Sequence, residues 1–475
     1  MSVAEYARLG FGESPETVID DLTVTGTLPP WLTGTLLRNG PGTFRVGDER
    51  YRHWFDGLAM LHRFTIEAGR VSYASRFLEG RTRDEAERSG RIPFSEFATD
   101  PCRSMFARTA AVFHREVTDS AKVNITRVAD RYLALAETPI QVAFDPVTLK
   151  STGVTEWDES TLGRMTTVHP HLDEARAEGF NLVTRYGAAS QYVIRKFDTR
   201  DPGIATRTHA SRRVAEPAYI HSFGMSTRYL VVAEFPFVVN PLSLLLWIRP
   251  YIENFRWKPR RGTRFHVFDR STGTAVDTYE TDAFFAFHHV NAYDHGDDLV
   301  VDLVAYDDAS IIDSFYVHRL ENPESTLPKG HLSRFRLPVA GPARPVTAEL
   351  LSDAALELPS FDAARKSTAT DHRYVYGVGV HEGQGFYDQL VKIDLDDGTA
   401  LAWHEPHCYP GEGVFAGRPG RRAEDDGVIL SVVLDEAEGT SFLLVLDAGT
   451  FTEVARVTLP HPVLFGYHGQ YYAAP

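Results

Sequence analysis

The chain has 475 residues, 43% hydrophobic, 24% charged and 12% aromatic, with its 36 Gly and 27 Pro spread along it rather than pooled. That composition excludes a disordered, collagen-like or coiled-coil protein. The net charge of −15, from 49 basic and 64 acidic residues, argues against a phosphate-binding surface and sets nucleic acid aside as a partner. Two cysteines, Cys102 and Cys408, are too few for a disulfide framework or a cysteine metal cage, and they fit the reducing cytoplasm. No secretory signal opens the chain, and nowhere do ~20 apolar residues run together as a bilayer-spanning helix needs. No linker is visible, so residues 1–475 read as a single domain.

In chain order, the first motif is Gly34-Thr-Leu-Leu-Arg-Asn-Gly-Pro-Gly42. It lacks the Gly-Lys-Ser/Thr of a phosphate loop and reads as a tight turn after a strand. The segments 84–89 and 173–178 have room for a turn or two of helix each. Met105-Phe-Ala-Arg-Thr-Ala-Ala-Val-Phe113 reads as a short amphipathic helix. Strands dominate elsewhere, in β-branched or aromatic runs such as 229–233, 299–305, 374–380 and 442–446. Phe235 to Ile248 is strongly apolar, interrupted by Pro236 and Pro241, and followed by Arg249, Arg256, Lys258, Arg260 and Arg261. It is either a buried piece of core or a patch that dips into one membrane leaflet.

One pattern recurs: an apolar strand ends in Asp, a turn rich in Thr and Gly follows, and a second strand leaves. It occurs at 142–149, 267–274, 391–399 and 445–451, with a weaker copy at 194–199. Asp and Thr side chains bond turn backbone and Gly supplies positive φ, so each copy predicts a β-hairpin. Several copies lie roughly 50–70 residues apart, near or above the ~40–50 of one propeller blade. A propeller with long insertions and a β-sandwich both fit.

The chain has no Gly-x-Ser-x-Gly elbow, no Cys-x-x-Cys pair and no His-Glu-x-x-His, which weakens hydrolase and zinc-protease readings. Four of its 19 histidines sit beside apolar strands: His169, His221, His288 and His468. Imidazole suits Fe, Zn and Cu alike, and ligands this remote meet only where strands converge, as on a propeller axis. His171 with Asp173 and a distant histidine offers a competing facial triad for non-haem iron. Glu137, Glu357 and Glu412 lie in apolar surroundings. Each is a solvent-facing strand residue unless it turns inward, where it needs a partner such as an imidazole N–H.

Taken together these pieces resemble the carotenoid cleavage oxygenases, in particular the animal-type branch with the β-carotene oxygenases and the retinal pigment epithelium isomerase. The resemblance rests on an ordered set: Leu37-Arg-Asn-Gly-Pro-Gly42, His53-Trp-Phe-Asp-Gly57, Asp100-Pro-Cys102, Ala136-Glu-Thr138 and Val168-His-Pro-His171. Ile220-His-Ser-Phe223, Phe287-His-His-Val-Asn-Ala292, Glu424-Asp-Asp-Gly-Val428 and Tyr467-His-Gly469 complete it. It implies an all-β, seven-bladed propeller with a helical and loop cap over an axial metal site. It also implies Fe(II) held by His169, His221, His288 and His468, with His289 the less favoured stand-in for His288. Glu137, Glu357 and Glu412 would hold His221, His288 and His468 in turn, leaving His169 without a glutamate.

The implied reaction is dioxygenase cleavage of one double bond of a carotenoid or apocarotenoid by O2, giving two carbonyl products, with no NAD, flavin or other nucleotide cofactor. Alternatives on the same scaffold are stilbene-type cleavage, a retinyl-ester isomerohydrolase, or a non-catalytic lipid- or partner-binding propeller. An insoluble polyene implies peripheral membrane contact of a cytoplasmic protein, through apolar patches near 105–113 and 235–252. Four positions depart from relatives. Ala136 stands where stilbene cleavers carry a phenol-binding Lys, Arg103 replaces a common Lys, Leu358 stands where an aromatic is frequent, and Gly413 where Pro is common.

Overall fold

The computed structural model describes residues 4–101, 117–156, 164–246, 249–341, 344–362, 369–381 and 385–474. Its short strands form seven antiparallel sheets arranged as propeller blades. From the axis outward, the second blade runs Asn124–Val128, Arg131–Leu135, Ile140–Phe144, Ser151–Glu156. The third begins with two short pieces, Arg164–Thr166 and His171–Asp173, both paired to Glu178–Arg185, and continues through Gln191–Phe197 and Arg207–Arg213. The fourth, fifth and sixth start at Gly224–Met225, His289–His295 and Glu357–Ser360 and end at Ala275–Thr281, Thr347–Ala355 and Ala400–His404.

The seventh blade again opens with a split strand, Cys408–Pro410 and Val414–Gly417, both paired to Gly427–Asp435. Its outer edge is extended by Val24–Gly26, which pairs with Glu453–Thr458. The first blade takes its innermost strand, Gly469–Ala473, from the far end of the chain, pairing it to Gly34–Thr43. Ring closure is therefore made twice by strands distant in sequence. The cores lie between neighbouring blades. Leu36 and Phe64 of the first pack with Leu430 and Leu443 of the seventh, and Leu182 and Ile194 of the third pack with Leu230 and Val232 of the fourth.

The recurring Asp-turn pattern is the hairpin joining the third strand of a blade to the next one out. In four copies the N–H four residues after the Asp bonds back to the Asp carbonyl at 2.8 Å, at Leu149, Gly273, Gly398 and Phe451. All four residues have positive φ, 59°, 75°, 73° and 58°. The Asp side chain caps each turn: Asp269 Oδ1 accepts the Ser271 and Thr272 N–H groups at 3.0 and 2.8 Å, and Asp447 Oδ1 accepts that of Thr450 at 2.8 Å. The fifth copy, at Asp198, opens into a longer connection before Arg207–Arg213.

Two expectations are corrected. Residues 34–42 are not a tight turn but most of the ten-residue strand Gly34–Thr43. Their glycines serve close approach: a Cβ on Gly40 would stand 2.7 Å from Gly466 Cα, and one on Gly42 would meet Met60 and Phe77. Segment 173–178 is not helical; it turns from His171–Asp173 into Glu178–Arg185, with which that strand pairs. The segment at 84–89 does lie in a helix, Arg81–Ser89. In the long apolar stretch Phe235, Val238 and Val239 are buried, while Leu242 on the short helix Pro241–Leu246 is 59% exposed. Residues 247–248, the whole of 105–113, Cys102 and Arg103 lie outside the described residues.

The hairpins give a direct test. A Cβ on Gly273 would sit 2.0 Å from the His209 carbonyl oxygen, whereas Gly439, also at positive φ (65°), has open space around it. Gly439→Ala is expected to cost only the left-handed backbone strain, about 1–2 kcal/mol. Gly273→Ala adds a backbone clash and should cost roughly 3 kcal/mol or more, read from urea unfolding of the two variants side by side.

Candidate metal centre and substrate cavity

Each blade brings one axial residue to the same end of the ring. His468 immediately precedes the innermost strand of the first blade and His288 that of the fifth; His221 lies just before that of the fourth. His169 and Glu412 sit between the split inner pieces of the third and seventh, and Glu357 opens the sixth. Glu137 follows the second strand of its blade. In an antiparallel blade the second strand ends at the rim where the first begins, so Glu137 reaches that rim as well. The third strand is reached by connections that also start there. The long ones, 44–57, 235–262 and 306–330, contain the loops and short helices that cap the ring.

The four imidazoles meet. His169 Nε2 lies 3.2 Å from His221 Nε2, and His288 Nε2 lies 3.2 Å from His468 Nε2. The ring of His169 stands across the other three, with centroids 4.7–5.1 Å away. On the opposite edge of each ring, His221 Nδ1 bonds Glu137 at 2.7 Å, His288 Nδ1 bonds Glu357 at 2.5 Å, and His468 Nδ1 bonds Glu412 at 2.8 Å. A carboxylate only accepts, so these rings carry their proton on Nδ1 and turn the Nε2 lone pair inward. His288 and His468 then face each other lone pair to lone pair at 3.2 Å with no proton between them. That arrangement is repulsive unless a cation shares it. Cis ligands at ~2.1 Å from a metal are themselves ~3 Å apart, so the spacing fits a divalent transition metal.

The carboxylates are held in turn. The Tyr219 hydroxyl donates to Glu137 at 2.6 Å, the Tyr306 hydroxyl donates to Glu357, and the Gly469 N–H donates to Glu412 at 2.7 Å. Buried Arg38 donates to the carbonyl oxygens of Glu412 and Tyr467, at 3.0 and 3.2 Å. Burial pushes His288 down to about 4, against a weaker opposing pull from Glu357, so its ring is neutral. Burial alone would raise Glu357 and Glu412. Their histidines, together with Tyr306 and the Leu358 N–H for the first and with Arg38 and the Gly469 N–H for the second, outweigh it and hold both below the ordinary value. Glu357 and Glu412 are thus held ionised just outside the site, beside the neutral ring of His288.

A cavity of about 200 Å³ opens onto this centre. Its wall includes Trp54, Phe55, Phe97, Phe287, Phe315, Leu358 and Tyr467 beside His221, His288 and His468. Of the four departures, Ala136 and Leu358 line it. Gly413 sits between the split inner pieces of the seventh blade, where its carbonyl accepts the Ser360 hydroxyl.

The alternative ligands do not join the quartet. His289 points its Nδ1 at the Ser222 hydroxyl, 2.9 Å away. His171 Nε2 bonds the Phe223 carbonyl at 2.7 Å and Asp173 pairs with Arg270 at 2.6 Å, which takes apart the His171–Asp173 triad. Tyr219, Tyr306 and Arg38 escaped the sequence reading as supports of the glutamates. Tyr219 was within sight, two residues before His221, and Arg38 sat inside a motif read as a turn. Glu96 and Lys122, which line the cavity, carried no sequence signal.

The model of the retinal pigment epithelial membrane protein family matches residues 11–473. The human β,β-carotene 15,15′-dioxygenase is 33% identical, the match covering 94% of this chain and 91% of that protein. The carotenoid isomerooxygenase of Galleria mellonella is also 33% identical, over 94% and 92%. Among solved structures, a Synechocystis apocarotenoid oxygenase variant superposes with a TM-score of 0.88 at 26% identity, covering all of both chains. A cobalt-substituted form of the Synechocystis protein gives 0.86 at 25%, again over the full length of both.

The depressed His288 has a consequence for stability. An unfolded histidine protonates below about 6.5, whereas this one, folded, does so only near 4. The metal-free protein should therefore keep the full contribution above pH 6.5 and lose it as pH falls toward 4, by up to about 3 kcal/mol from this ring. Urea midpoints at stepped pH, with and without an added divalent metal, check it. Because metal binds the neutral rings, its stabilising effect should shrink over the same interval.

Proposed function

Because the chain belongs to the retinal pigment epithelial membrane protein family of carotenoid oxygenases, we propose that it is an Fe(II)-dependent dioxygenase. It cleaves one double bond of a carotenoid or apocarotenoid with O2 into two carbonyl products. One observation carries this reading: four imidazole nitrogens converge beside an aromatic cavity, and three of the rings are each backed by a carboxylate. Fe(II) at that point supplies the activation of O2. The protein's own groups do the rest. His169, His221, His288 and His468 hold the ion, and Glu137, Glu357 and Glu412 fix the tautomer and tilt of three rings while offsetting the charge without occupying coordination positions. Trp54, Phe55, Phe97, Phe287 and Phe315 pack against a flat polyene and keep bulk water from the reacting bond. In balance, the C=C bond is lost, both oxygen atoms of O2 end in the products, and no external reductant is consumed.

The substrate is insoluble in water, so the proposal includes peripheral contact with a membrane, with the protein otherwise cytoplasmic. No helix among the described residues is long and apolar enough to cross a bilayer. The contact is placed at the helix Pro241–Leu246, whose exposed Leu242 precedes Arg249, Arg256, Lys258 and Arg260. The other apolar patch, 105–113, belongs to the same expectation.

Iron-loaded protein incubated with carotenes, apocarotenals, a retinyl ester and resveratrol, with products separated by HPLC and identified by mass, should yield paired carbonyl fragments from polyenes. Carbonyl fragments from resveratrol alone, or retinol isomers from the ester, would replace this reading by one of its relatives. His221→Ala should retain no stoichiometric iron, and Glu137→Gln should bind it about 10–100-fold more weakly, both read by metal analysis after dialysis. Leu242→Asp should reduce co-sedimentation with anionic liposomes while leaving turnover of detergent-dispersed substrate in place.

A further inference from the structure

Among the charged groups at the cavity wall that take no part in the histidine–glutamate cluster, Glu96 and Lys122 are almost wholly buried. Their side chains, 3% and 4% exposed, form an ion pair of 2.6 Å. The Thr118 hydroxyl donates to the other oxygen of Glu96 at 2.8 Å. The second contact of Lys122, to the Ser120 carbonyl, is long at 3.4 Å. An ammonium carries three N–H donors, so Lys122 keeps donor capacity at the cavity wall. Its neighbour Val123 accepts the backbone N–H of His468 at 3.2 Å, which ties this segment to the metal end of the cavity.

Stability does not account for the pair, since replacing a buried ion pair by apolar groups is often neutral or favourable. A pure hydrocarbon packed against it would desolvate two charges and return nothing. A substrate oxygen returns a charge-assisted hydrogen bond. We propose that the Glu96–Lys122 pair is the specificity-determining subsite of the cavity and takes an oxygen function of the substrate, a carbonyl or a hydroxyl. The Lys122 ammonium donates to that oxygen, and Glu96 holds the ammonium in place and accepts the O–H when the group is a hydroxyl. The chain is thereby adapted to oxygenated polyenes over bare carotenes. This rests on the cleavage reading above.

Two measurements test it. Under argon, so that nothing turns over, a polyenal bound to the iron-loaded protein should absorb to the red of the same compound in detergent, because its carbonyl accepts a charged hydrogen bond. A hydrocarbon polyene should not shift in that way. In air, kcat/KM is compared for an apocarotenal, a hydroxylated carotene and a hydrocarbon carotene, in the parent and in the double variant Glu96→Gln with Lys122→Met. That variant removes both charges together and leaves none unpaired. The ratio of oxygenated to hydrocarbon turnover should fall about 10–100-fold, with the red shift lost. A parent without a red shift, or a variant that loses both substrate types in equal proportion, overturns the proposal. If the parent cleaves no polyene the cleavage reading fails, and the spectra under argon still decide the subsite.

Discussion

The feature on which the site depends is a repulsion. Carboxylates that only accept hydrogen bonds force His221, His288 and His468 to carry their protons outward, so lone pairs crowd a single point inside the ring. Between His288 and His468, both with the proton on Nδ1, no N–H is left to relieve that crowding. The propeller supplies the rigidity to sustain it, because each ring is set by the start of an inner strand whose blade packs on both neighbours.

A seven-bladed ring suits this arrangement for a geometric reason. Four blades contribute imidazoles and the remaining three contribute their counter-carboxylates, so no blade has to supply two axial groups. The carboxylates of the second, sixth and seventh blades then reach sideways to histidines of the fourth, fifth and first. The hydrogen bonds at the centre therefore cross blade boundaries and couple the metal site to the closure of the whole ring. Insertions between second and third strands are free to build the cavity above it, since those connections all begin at the same rim.

Much of this was legible in the sequence, and the parts that were not have physical causes. The Asp-turn hairpins could be read because a side-chain cap and a left-handed residue are local demands, met within five residues at Asp145, Asp269, Asp394 and Asp447. The first and fifth blades lack that cap, which is why the repeat looked irregular. Residues 34–42 misled because glycines that permit close approach, as Gly40 does against Gly466, look in one dimension like glycines that permit a turn. The short segment at 173–178 misled because a hairpin turn and a single turn of helix draw on the same polar residues. The four histidines and three glutamates stood out by their apolar surroundings, their roles and pairing came from the resemblance to a family, and their convergence needed coordinates. Glu96 and Lys122, 26 residues apart, gave no signal at all, since nothing in either neighbourhood distinguishes a buried charge from a solvated one.

The innermost strand of the first blade comes from residues 469–473, so His468 is the last of the seven axial groups to leave the ribosome. Until His468 is made the chain owns at most three of the four imidazoles, and the glutamate waiting for the fourth, Glu412, is already present. A metal ion captured early would sit in an incomplete cage and be easily lost. Stable acquisition of a metal thus waits until the first blade receives that strand, and a loaded centre certifies that the ring has been sealed.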